Sequence, residues 1–111
     1  MKIRTQQCGA VAVVRPDGPL VHSEADELRK SLKDAIYKNL GRVVLDASAV
    51  PFVDSAGLEC LVEITDELAR SGKPLKICAA DQTLKDVLAL TGVSSEFEHF
   101  EDVTSGVRSF L

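Results

Sequence analysis

The sequence predicts an α/β domain: a mostly parallel sheet with an antiparallel N-terminal strand pair and about four helices. Three observations carry this. Short apolar runs alternate with longer stretches whose apolar residues recur every three or four positions. Turn and cap residues separate them. No linker, internal repeat or low-complexity segment interrupts residues 1–111, so the whole chain reads as one domain.

The first strand is expected at Ala10–Val14 (AVAVV), with Pro16-Asp17-Gly18 turning the chain. Leu20-Val21 is the expected antiparallel partner of that strand. Ser23, with Asp26 three residues on, resembles a helix start. Leu28, Leu32, Ala35, Ile36 and Leu40 then form one apolar stripe, and Gly41 ends the helix as a left-handed cap. Val43-Val44-Leu45 is a continuous apolar strand, as a central strand of a parallel sheet requires, and Asp46 closes it. A loop containing Pro51 leads to a second helix from Asp54 or Ser55 to Arg70, stopped by Ser71-Gly72-Lys73-Pro74. Leu75–Ala79 is the next strand. Asp81 opens a third helix with Leu84, Val87, Leu88 and Thr91, and Gly92 stops it. Phe97–Phe100 is a last short strand, and Asp102 caps a closing helix.

Composition narrows function. Net charge is −4 and the basic residues are scattered, so no clustered positive surface for nucleic acid is expected. Cys8, Cys60 and Cys78 are widely spaced without a CxxC, so packing thiols are expected rather than a zinc or redox site. No metal or cofactor is implied. No apolar stretch approaches the roughly 20 residues of a membrane span, and MKIRTQQCGA contains no leader-like apolar run. A cytoplasmic protein without direct membrane insertion is expected.

On the second helix, a wheel at 100° per residue puts Leu58, Leu61, Val62, Thr65, Leu68 and Ala69 on the expected core face. Glu59, Glu63, Asp66 and Arg70 lie opposite. Ala56 and Cys60 form a small uncharged margin, read either as packing under a loop or as a docking surface. Gly57 in the first turn costs up to ~1 kcal/mol against alanine, which implies tight packing or close approach.

Ser55 admits three readings. It can cap the helix, although Asp54 is equally suited. It can act as a nucleophile, but the G-x-S-x-G elbow is absent and the only histidines, His22 and His99, stand in no motif with it. It can accept a phosphate, whose −1.5 to −2 charges beside Asp54 would strongly perturb an exposed surface.

The segment VVLDASAVPFVDSAGLECLVEI, residues 43–64, resembles the signature of STAS domains, the anti-sigma factor antagonists. LALTGVSSEFEHFEDV, residues 88–103, resembles the family's third-helix ending and the approach to its last helix. The resemblance implies a small sheet with packed helices that begins with an antiparallel pair. It also implies a phospho-switchable binding module. The unphosphorylated protein would bind a serine-kinase anti-sigma factor, the kinase would phosphorylate Ser55, and a serine phosphatase would reverse it. Asp54, Ser55, Ala56, Gly57, Leu58 and Cys60 are then the expected contact residues. Many members read G-E-L-D before the first helix; here Gly18-Pro19-Leu20-Val21 lacks both acids. A STAS subunit of a transport or sensory complex, with Ser55 never phosphorylated, is the alternative within the fold. A serine hydrolase is the alternative outside it.

Overall fold

The computed structural model describes all residues, Met1–Leu111. Five strands, β1 (Lys2–Cys8), β2 (Val11–Asp17), β3 (Val43–Asp46), β4 (Lys76–Cys78) and β5 (Glu98–Phe100), form one sheet in sequence order. β1 runs antiparallel to β2, and every later pair is parallel. The helices are α1 (Ser23–Lys38), α2 (Ser55–Ala69), α3 (Gln82–Leu90) and α4 (Val103–Arg108), with a single 3-10 turn at Ser94–Glu96. The α/β architecture and the antiparallel opening are as expected. No helix is long and apolar enough to cross a membrane.

The antiparallel partner is corrected. It is Lys2–Cys8, with Cys8 opposite Val11 and Lys2 opposite Asp17, and not Leu20-Val21. KIRTQQC escapes notice because an edge strand has one neighbour and needs no continuous apolar run; only Ile3 and Cys8 are half-buried. β2 also continues through Pro16 to Asp17, past Val14, its last residue paired with β3. Leu20 instead makes one isolated parallel bridge to Val53.

β3 is the middle strand and is buried throughout. The two-residue alternation of the strands gives the sheet two apolar faces. Ala12, Val14, Val43, Leu45 and Ile77 join Leu28 and Leu32 of α1, Leu61, Ile64 and Leu68 of α2, and Leu84 and Leu88 of α3 in the main core. Val11, Val13, Val44 and Cys78 face the other way, under Phe100, Val103, Val107 and Phe110. α4 reaches this face closely because Gly106 has no side chain: a β-carbon there would stand 2.3 Å from the Cys78 sulfur.

Lys76, inside the predicted strand, is 2% exposed. Its ammonium is 2.6 Å from Ser109 Oγ, 3.4 Å from Glu98 and 4.3 Å from the centre of the Phe110 ring. Burial of this charge is offset by these three partners.

Helix ends follow local chemistry. Asp54, Asp81 and Asp102 each cap a helix by accepting a main-chain N–H three residues on. α1 differs from expectation. Ser23 is its first helical residue, and the cap position is His22, whose side chain caps nothing. At its other end Leu40 and Gly41 both take positive φ, 54° and 83°.

Candidate functional site

The site forms where the β2–α1 connection meets the β3–α2 loop. The two segments are laced by main-chain hydrogen bonds. Gly18 N–H donates to the Ala49 carbonyl (3.0 Å), Leu20 N–H to Phe52 (3.1 Å), and Asp54 N–H to Leu20 (3.1 Å). Leu20 is completely buried beneath them. The place occupied by Gly18-Pro19-Leu20-Val21 is therefore directly beside the start of α2.

Asp54 joins the two helix entries. Its Oδ1 accepts the N–H of Gly57 at 2.9 Å. Its Oδ2 accepts the N–H of His22 at 3.1 Å, and His22 Nδ1 lies 3.6 Å from the same oxygen. The Gly57 N–H is the main cause holding the Asp54 carboxyl below its ordinary range, with the His22 N–H next among the lowering contacts. With Asp54 as cap, Ser55 is relieved of that role. It is the first residue of α2 and is exposed.

The expected surface of α2 is corrected. The helix buries Gly57, Cys60, Leu61, Ile64, Thr65 and Leu68. Cys60 and Ile64 thus belong to the core, and neither Gly57 nor Cys60 is a surface contact. Burial pushes the Cys60 thiol up to about 11. Leu58 and Val62, expected inward, are only half-buried, and Ala69 is exposed. The helix is turned so that Gly57 faces the Leu20 segment packed over it and Cys60 enters the core. A β-carbon on Gly57 would collide with the Leu20 main chain. Thr65 turns inward as well, donating to the Glu96 carbonyl at 2.6 Å and accepting the Leu75 N–H at 2.9 Å.

What remains outward is a different surface. Leu58 and Val62 line a shallow depression with Glu59, Glu63 and Asp66. Phe52, three residues before Ser55, is 48% exposed. Ala56 is half-buried between them and the core. Phe52 and Val62 were missed as surface residues. The signal for Phe52 was present, since an aromatic in a loop between strand and helix is conspicuous in a chain with only four Phe, one Tyr and no Trp. Glu63 is fixed by α1, with Arg29 Nε at 2.5 Å and Lys33 Nζ at 3.4 Å.

The remaining candidates lie elsewhere or differently. Asp46 is in β3 opposite Cys78, and its carboxylate accepts the Ser48 N–H at 3.0 Å. His99 is in β5, with Nε2 2.8 Å from the Ser94 carbonyl. Of the two histidines, His22 is the one brought to the α2 entry, and there it meets Asp54.

The model of the STAS domain family matches residues 2–106. The chain belongs to the STAS family. Among curated proteins, BtrV of Bordetella bronchiseptica, described as a candidate anti-sigma factor antagonist, is 24% identical to this STAS domain over 97 residues, 87% of this chain and 84% of BtrV. A candidate anti-sigma factor antagonist from Thermotoga maritima superposes with a TM-score of 0.86 at 19% identity, covering 96% of this chain and 92% of that one. The anti-sigma factor antagonist SpoIIAA in its unphosphorylated form superposes at 0.75 with 17% identity, covering 98% and 96%. SpoIIAA of Bacillus in its phosphorylated form superposes at 0.72 with 16% identity, covering 99% and 100%. At these identities the structural likenesses establish the fold.

Proposed function

We propose that this STAS domain is an anti-sigma factor antagonist whose affinity for its partner is switched by phosphorylation of Ser55. One observation carries the reading. Ser55 is exposed at the first position of α2, while Asp54 takes over the cap, and exposed Phe52 and half-buried Leu58 and Val62 lie on the flanking loop and helix. A side chain that neither caps nor packs is free to be modified. A phosphate there adds −1.5 to −2 charges next to an existing carboxylate. The domain itself tolerates this, because the helix N-terminus favours negative charge. A partner seated on Leu58 and Val62 does not, because its contact surface acquires a new desolvation cost and a new field.

The partner in this reading is an anti-sigma factor with serine-kinase activity, and a serine phosphatase resets the switch. The description of BtrV and the existence of SpoIIAA in both phosphorylation states support it. The protein acts as a binding module in transcriptional control, not as an enzyme, and works in the cytoplasm.

The experiment is a kinase reaction. The protein is incubated with a candidate anti-sigma factor of serine-kinase type and ATP, and the product is mapped by mass spectrometry. A phosphate on Ser55, together with dissociation of the complex, is expected. A cognate ATPase that binds the protein and hydrolyses ATP but leaves Ser55 unmodified defeats the switch reading.

A further inference from the structure

Three non-glycine residues have positive φ: His22, Leu40 and Ala79. Among them, His22 stands at the candidate site. With φ 50° and ψ −127° it occupies backbone space that favours glycine. The main chain has a reason for this geometry, since it aims the His22 N–H at Asp54 Oδ2. Glycine would supply the same N–H without strain. Nor does packing explain a histidine, because its side chain is 86% exposed. What histidine adds is Nδ1, 3.6 Å from the carboxylate oxygen that the N–H already holds. That carboxylate belongs to the residue preceding Ser55.

We propose that His22 is a positioning residue for the Ser55 switch, its protonated imidazole neutralising Asp54 so that the phosphorylated state is favoured when His22 is charged. The proposal rests on Ser55 being the switch residue. The charged groups around His22 are few. Asp54 faces it from α2, and Glu24 and Asp26 stand in the first turn of its own helix, where Asp26 is paired with Arg29. Asp54 has an ion-pair partner in His22 and none among the lysines and arginines. With imidazole neutral, a phosphate on Ser55 would adjoin an uncompensated carboxylate. With imidazole protonated, the pair is close to neutral and the repulsion falls. By linkage, phosphate on Ser55 must in turn favour the charged form of His22.

The test is an imidazole titration by NMR on two preparations: the unmodified protein, and protein with phosphoserine installed at position 55 during synthesis. His99, held at the Ser94 carbonyl in β5, is the internal reference. The His22 midpoint is expected to rise with phosphoserine by about half a pH unit or more, a threefold or greater change in proton affinity, while that of His99 stays within error. A smaller rise, a fall, or equal shifts of both histidines overturns the proposal. Because the phosphate is installed without a kinase, this outcome is independent of whether a kinase modifies Ser55, which the mass-spectrometric experiment decides.

Discussion

A β-carbon on Gly57 would come to 2.1 Å from the carbonyl oxygen of Leu20 and 2.9 Å from its Cβ. The loop before α1 therefore rests on the first turn of α2 at a point where no side chain fits. That carbonyl also accepts the Asp54 N–H, so the contact and the cap are one unit. Gly57→Ala is expected to destabilise the domain by about 1–3 kcal/mol, despite the ~1 kcal/mol that alanine gains in a helix. Equilibrium denaturation checks this, and an unchanged or higher midpoint would show that the loop can lift off without cost.

Asp54 makes a prediction in acid. Its carboxyl is held low by the Gly57 N–H first, then by the His22 N–H. A depressed folded value means that the stabilisation is present above the unfolded value, ~3.9, and is lost as pH falls through the folded value. Asp102 behaves alike through the Ser105 N–H, and Glu63 through Arg29. Asp54→Asn should therefore reduce stability near neutrality and show a shallower loss of melting temperature below about pH 4. Parallel pH profiles for the two proteins would contradict the role of this cap.

The thiols predict behaviour in alkali. Burial pushes Cys60 up to about 11 and Cys78 up to about 12, the latter aided by the negative charges of Asp46 and Asp102. Raised values keep these thiols protonated and unreactive in the folded protein. A thiol-alkylating reagent near pH 8 should modify half-buried Cys8 and spare Cys60 and Cys78 until the protein unfolds. Since the folded values exceed the free-thiol value, ~8.5, stability should also fall as pH rises above it. Rapid native labelling of all three cysteines would contradict their placement.

Two substitutions should separate fold from switch. Leu45, in the middle strand, has no exposed surface, so Leu45→Ala is expected to cost about 2–5 kcal/mol. Ser55→Asp places a carboxylate at an exposed helix N-terminus, where it is tolerated or mildly favoured, and is expected to keep stability within about 0.5 kcal/mol. The same substitution should weaken the partner complex. Denaturation curves and calorimetric titration measure the two effects. Unchanged affinity with Ser55→Asp, or an unchanged melting temperature with Leu45→Ala, would contradict the respective assignment.

The sequence by itself determined the features that depend on neighbours along the chain. Val43-Val44-Leu45 announced a strand buried on both faces, and Asp54, Asp81 and Asp102 announced helix starts, because capping and strand burial are written in a few consecutive residues. Tertiary structure decided the rest. β1 was invisible because an edge strand built from polar residues takes its order from β2. The inward face of α2 could not be read from a helical wheel. The wheel put Leu58 and Val62 inward and Cys60 at the margin; with the Leu20 loop packed onto Gly57, Cys60 is buried in the core and Leu58 and Val62 stay half-buried at its edge. The pairing of His22 with Asp54 joins positions thirty-two residues apart. Local propensity says which segment becomes a helix; only packing of distant segments says which of its faces the solvent, and a partner, will meet.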